Sequence, residues 1–325
     1  MVSVIIVSAG RKNFLKDCLD SVLIQSSLPS EIIVIDNSAR PGFAAEISAA
    51  YPAVKVYTGQ ENLFYCQALN KGIASSKGEF LLCLNDDVIL DKEFIIQALK
   101  GFFLDPAVGM CSGKIMRRQK GIIDSTGLFL TLWLSAGERG YGLTDCGQFQ
   151  KPGYIFGVNG AVAFYRRKML DDIREGEDYF DPDFHIFYED LDIAWRAKRL
   201  GWRGYYLPDA LAFHLRGGTV RREEGIGKPY ARRFLNETLH LDLIRNRYST
   251  IIKNESFPGF CLHLPAIVLY DLIQWCYLLV SRPKIAKLFF LNLGFISTAF
   301  KKRRKTHFYR RERKIPQITQ KVKNT

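Results

Sequence analysis

Three short runs of this chain are apolar almost from end to end: residues 2–7 (VSVIIV), 31–35 (EIIVI) and 79–84 (EFLLCL). A strand with one wet face alternates polar and apolar residues, so runs like these belong to strands covered on both faces. Residues 54–57 form a further candidate strand. Between the runs the spacing turns helical. Phe14, Leu15, Cys18, Leu19, Val22 and Leu23 share one face of a helix over 13–25, and a second helix is expected over 65–75. Strands alternating with helices predict an α/β fold with a mixed, mostly parallel sheet and helices on both faces. The polar residues collect just past three strand ends, as Ser8-Ala9-Gly10, Asp36-Asn37-Ser38 and Asn85-Asp86-Asp87. Open α/β sheets bind ligands at that edge. No GxGxxG turn follows the first strand, which argues against a dinucleotide-binding dehydrogenase.

Further along, residues 110–170 read as more sheet with a long Gly-rich excursion (Gly137, Gly140, Gly142, Gly147, Gly153), a candidate mobile loop. A helix over 190–200 stops at Gly201, and a strand over 203–214 ends at His214. The globular part is expected to close near 255, followed by apolar helices over 256–300 and a basic tail over 301–325. The net charge of +13 belongs largely to that tail, whose eleven Lys or Arg and one Glu carry ten of the thirteen charges. A terminal basic run beside apolar helices suits an anionic lipid surface and not a nucleic acid. The seven cysteines form no CxxC pair and are odd in number, which speaks against a zinc site or a disulfide framework and for a reducing compartment. The opening apolar run is too short for a signal peptide and lacks a basic lead.

Four features can carry chemistry, and each has an ordinary reading. Asn85-Asp86-Asp87 offers carboxylates for a Mg²⁺ or Mn²⁺ ion holding a diphosphate; alternatively Asp87 or Asp91 caps the next helix. In Glu189-Asp190-Leu191-Asp192, Asp192 pairs with Arg196 one helical turn on. Two acids then remain, beside a Phe- and Tyr-rich run that can raise a carboxylate pKa and make a general base. His214 alone reads as a structural histidine, and Asp36 alone as an Asx turn.

Together these features resemble the family-2 glycosyltransferases, in particular a bacterial rhamnosyltransferase-like branch, over about residues 1–255. VSVIIVSAGR (2–11), EIIVIDNS (31–38), Asn62 through Asn70 with Gly72, GEFLLCLNDDV (78–88), Asp124 with Gly127, FDPDFHIFYEDLDIAWRAKRLGWR (180–203) and PDALAFHLRGGT (208–219) carry the likeness. The resemblance implies a GT-A fold and transfer of one sugar, rhamnose among the candidates, from a dTDP- or UDP-linked donor to a glycan or lipid-linked acceptor, with inversion. It implies Asp190 as catalytic base and Asp87, Asn85 and His214 around Mg²⁺ or Mn²⁺. Ser8, Arg11, Asp36 and Asp86 fall at the donor nucleotide, and Glu189 and Asp192 on the acceptor side or in support. Three positions depart from the family pattern. Phe64 stands at a usual glycine, Asn85-Asp86-Asp87 replaces Asn-Pro-Asp, and Arg245-Asn246-Arg247 lies where processive synthases carry QxxRW. The alternatives are a nucleotidyltransferase and a catalytically degenerate membrane-bound scaffold.

Residues 259–280 are apolar enough to suggest a bilayer span, but Asp271 in their middle is costly there. Interfacial helices, with Trp275 and Tyr277 at headgroup level and KKRRK (301–305) on anionic lipid, fit better. A helical subdomain buried against a partner subunit is the third option. The expected location is cytoplasmic, peripheral on the inner face of the cell membrane.

Overall fold

The computed structural model describes residues 1–59, 61–117, 121–216 and 235–312, excluding the side chains of Lys12 and of 304–312. Its strands are β1 (Val2–Ser8), β2 (Glu31–Asp36), β3 (Val54–Thr58), β4 (Phe80–Asn85), β5 (Val88–Leu90), β6 (Val108–Arg117), β7 (Ile123–Ser125), β8 (Leu128–Leu130), β9 (Ala136–Glu138), β10 (Gly153–Ile155), β11 (Val162–Arg166) and β12 (Arg203–His214). The helices are α1 (Lys12–Leu23), α2 (Phe43–Ala50), α3 (Phe64–Ser75), α4 (Phe94–Leu104), α5 (Arg167–Ile173), α6 (Glu189–Arg199), α7 (Glu237–Asn254), α8 (Phe257–Ser281), α9 (Pro283–Leu291) and α10 (Gly294–Glu312).

One sheet runs in the order β10-β12-β6-β11-β4-β1-β2-β3, with β5 added to β12 and β7 to β6. Strands β3, β2, β1 and β4 are parallel, β11 runs antiparallel to β4 and β6, and β12 is parallel to β6. The apolar runs behave as their composition requires. In β1, Val4 and Ile6 pack into one core with α1, α2 and α4, while Ile5 and Val7 pack into a second with α3 and α6. Both sets are buried, so no position of β1 tolerates water. Gly72 lets α3 lie close on β1, since a Cβ there would sit 2.5 Å from Ile5 Cγ2. The sequence expectation of small buried thiols holds for Cys18 and Cys83, and all seven cysteines are free.

Three expectations change. The acidic turn after β4 starts no helix: β5 follows, and the first helical residue is Phe94. The Gly-rich excursion holds a β8–β9 hairpin strapped to its base, Thr126 N–H donating to Arg139 O and Arg139 N–H to Gly127 O. The second apolar stretch is two helices broken near Asn292, and α10 runs on into the basic segment. Residues 217–219 of the last motif and 313–325 of the tail lie outside the described residues.

Candidate active site

Parallel pairing sets Ser8 beside Asp36 and Val7 beside Asn85, so three polar turns meet at one sheet edge. Asp86 turns inward there. Its Oδ2 accepts from Ser8 Oγ and Ala9 N–H at 3.0 Å each, and its Oδ1 from Arg11 Nη2 at 2.7 Å. Burial raises this carboxyl above the usual range despite the arginine. Asp36 accepts from Ser38 N–H and Ser38 Oγ, as an Asx turn does.

Asp87 turns the other way, into a cleft of about 370 Å³ that it lines with Arg11, Asn85, Glu138, Asp190, His214 and Arg216, among others. The pairing of β5 with β12 brings it to His214, whose Nε2 lies 3.3 Å from Asp87 Oδ1. The other ring nitrogen lies 2.9 Å from Asp124 Oδ2, and Asp124 also accepts from Arg117 and Arg216. Burial alone would lower the His214 pKa, but Asp124 and Asp87 outweigh it and the net direction is up. Asp124 moves well below the carboxylate range, because His214 and Arg216 overcome its burial. A histidine oriented by a second carboxylate is the usual support for a metal ligand. Asn85 Oδ1, also in the cleft, is buried with no hydrogen-bond partner among the described residues. Among those residues no three acidic, His or Cys groups form a closed cage. The donors therefore fit a cation that takes its remaining oxygens from a diphosphate and water.

Asp190 faces this group across the same cleft. It sits in the first turn of α6, after two residues in the left-handed region, Phe187 (φ 70°) and Tyr188 (φ 69°). Such backbone persists only where the surroundings hold it. Asn246 of α7 does so, its Nδ2 donating to the carbonyls of Ile186 and Phe187 at 2.9 and 3.0 Å. Asp190 Oδ2 accepts from Gly160 N–H at 3.1 Å, and Tyr65 donates to Gly160 O. Gly160 has no side chain to crowd this approach: a Cβ would lie 3.1 Å from Glu189 Oε1. Burial raises the pKa of both Glu189 and Asp190, and for Glu189 the Asp190 charge adds to it.

Asp192, expected near the acceptor, lies elsewhere. Two residues along α6, and so on the opposite side of the helix, it is buried against Arg196 (2.9 Å), Lys253 (3.1 Å) and Asn254 (2.8 Å), and is absent from the cleft wall. The i,i+4 ion-pair reading describes it. Sequence reasoning also missed residues that shape the cleft. Glu138 comes from the hairpin, Asn159 from the turn before β11, and Arg216 from just past β12. Arg216 lies within the motif PDALAFHLRGGT, and Glu138 left a trace as the single acid in the glycine-spaced segment AGERGYG.

Comparison with known proteins agrees with this architecture. The profile of the family described as "Glycosyltransferase like family 2" matches residues 1–231. A poly-beta-1,6-N-acetyl-D-glucosamine synthase of Staphylococcus aureus (strain MSSA476) is 24% identical over 286 residues, covering 86% of this chain and 63% of its own. The chain thus spans less than two thirds of that relative's length. Among solved structures, TarS residues 1–349 of S. aureus in complex with UDP-GlcNAc superposes with TM-score 0.59 at 17% identity, covering 96% of this chain and 87% of that one. Mannosyltransferase PcManGT from Pyrobaculum calidifontis, in complex with GDP-Man and Mn²⁺, gives TM-score 0.54 at 15% identity, covering 96% and 86%. These likenesses establish the GT-A fold.

Proposed function

We propose, from the premise that this chain belongs to the glycosyltransferase-like family 2, that it is an inverting, metal-dependent enzyme transferring one sugar from a nucleotide diphosphate to a glycan or lipid-linked hydroxyl. The observation that carries the reading is the cleft in which Asp87 and His214 face Asp190, although about a hundred residues separate the two acids in sequence. Asp190 takes the proton of the acceptor hydroxyl as that oxygen bonds the anomeric carbon. The bond from that carbon to the diphosphate breaks, and its electron pair leaves with the diphosphate. Attack opposite the leaving group inverts the centre, so one base suffices. Asp87 and His214, with Asn85 beside them, would hold Mg²⁺ or Mn²⁺, which neutralises diphosphate charge when bound. Arg11 and Arg216 add positive charge to the same wall. Ser8, Asp36 and Asp86 build the turns on which the nucleotide rests. Asp192 belongs to the scaffold behind α6.

UDP-GlcNAc is the first donor to test, given the TarS complex and the named relative, with dTDP-rhamnose second. Nucleoside diphosphate release in Mn²⁺ should occur with wild type and fall at least a hundredfold in Asp190→Asn, while donor binding by thermal shift stays. Pyrophosphate as product would indicate a nucleotidyltransferase instead, and no turnover with any donor would indicate a scaffold. Product length on a labelled acceptor separates single addition from polymerisation.

The membrane part of the reading rests on α8. This helix is long and apolar enough to cross a bilayer. Its Asp271, however, pairs with buried Arg247 of α7 at 2.6 Å, Tyr270 stacks on Trp133, and Ile267 and Leu278 are buried against the protein. Leu262, Leu269, Leu272, Ile273, Leu279 and Val280 are exposed. One face held by protein along the helix and the other apolar supports a helix lying in the membrane plane. On this reading the enzyme works at the cytoplasmic face of the cell membrane.

A further inference from the structure

The cleft holds an acid that the sugar-transfer chemistry above does not use. Glu138 ends β9 and lines the cleft with Asp190. Both acids are held by one short turn, residues 159–161. Asn159 Nδ2 donates to Glu138 Oε1 at 2.6 Å, and the next residue's N–H, from Gly160, donates to Asp190 Oδ2. Ser125 Oγ donates to Glu138 Oε2. The side chain is directed: its neighbour Arg139 points away, stacking over Tyr206 and Phe149.

A carboxylate buried among neutral donors is a poor choice for holding a hairpin together. Its proton affinity is pushed up to about 7, chiefly by burial and then by Asp190, which outweigh the hydrogen bond from Ser125 and the charge of Arg216. Two neutral hydrogen bonds do not offset the desolvation of such a charge. A carboxylate has about four acceptor sites, and Ser125 and Asn159 occupy two. What remains needs a donor arriving through the cleft, and a sugar hydroxyl is one. The hairpin that carries Glu138 is also anchored from beneath. Arg247 donates to Ser135 Oγ at 2.9 Å and to Trp133 O at 2.7 Å.

We propose that Glu138 is the acceptor-positioning carboxylate of this enzyme: it accepts a hydrogen bond from a hydroxyl of the incoming glycan and thereby sets the attacking oxygen against Asp190. The proposal rests on the sugar-transfer reading and deepens it. It assigns Glu138 no proton transfer to the reacting oxygen.

The test measures two rates on the full chain with UDP-GlcNAc and Mn²⁺: donor hydrolysis by water, and transfer to a labelled β-1,6-linked N-acetylglucosamine oligosaccharide. Glu138→Gln should raise acceptor KM at least tenfold and raise the ratio of hydrolysis to transfer by a similar factor. Ser125→Ala, which removes one hydrogen bond to the carboxylate, should move both quantities the same way by less. Glu138→Asp should recover part of the loss. Hydrolysis and transfer falling in equal proportion in Glu138→Gln would overturn the proposal, as would an unchanged acceptor KM or a wild type that the oligosaccharide does not stimulate. A wild type releasing no nucleoside diphosphate from any donor removes the sugar-transfer reading itself, a distinguishable result.

Discussion

Asp86 and Asp87 are chain neighbours with opposite jobs, because a turn leaving a strand sends successive side chains to opposite sides. Asp86 fastens the first turn of the sheet, and Asp87 meets His214 on the wall of the cleft. Asp87→Asn should therefore abolish the extra thermal stabilisation that Mn²⁺ gives with UDP, measured by differential scanning fluorimetry with and without the metal. Asp124→Asn should weaken Mn²⁺ by about 10–100-fold, as loss of a ligand's supporting carboxylate does, read from the Mn²⁺ concentration giving half-maximal activity. Glu189 supplies a pH prediction. Folding raises its pKa, from an ordinary 4.5 to about 8. The unfolded chain then gives up this proton first as pH rises, so the folded state loses stability between those values. Glu189→Gln should raise Tm by roughly several degrees at pH 8 and by nothing near pH 4.5. An equal gain at both pH values would refute the assignment. The Asp87, Asp190 and His214 positions were legible because local motifs mark them. Glu138 and Asn246 were not, since their roles come from contacts with segments far away in the chain.

Among the elements, the apolar strands were the most readable, since composition alone dictates burial on both faces. The hairpin was the least readable. Its glycines suggest a loose loop, and nothing local says that Arg247, more than a hundred residues on, fixes it. Arg247 is fully buried and holds Ser135, Trp133 and Asp271 together. Removing one member of a buried pair costs about 3–5 kcal/mol, whereas replacing both by apolar residues is often neutral. Arg247→Met alone should be strongly destabilising in urea unfolding. Adding Asp271→Leu should restore a large share of the loss, giving a clear coupling energy.

At the scale of the whole molecule, the α/β fold class followed from patterning and the meeting of distant acids from the family resemblance, while the packing of the last three helices followed from neither. An apolar stretch with a charge inside it is ambiguous until the charge finds its partner, and Arg247 is that partner. With the exposed side of α8 free, the protein should sediment with vesicles rich in phosphatidylglycerol more than with phosphatidylcholine alone, and less so as salt rises. Leu272→Glu combined with Ile273→Glu should cut that binding at least tenfold without changing donor hydrolysis in solution. Unchanged sedimentation would count against the in-plane reading.

Helix α7 lies wholly outside the segment matched to the family, which stops at residue 231. Yet its Asn246 steadies the bend ahead of Asp190, its Arg247 pins the Glu138 hairpin, and its Lys253 closes the acid group behind α6. The working groups and their foundations are thus written in different stretches of the chain. A fragment trimmed at residue 231 would inherit the tools without the bench they are bolted to, and any transplant of this chemistry into another scaffold has to bring α7 along.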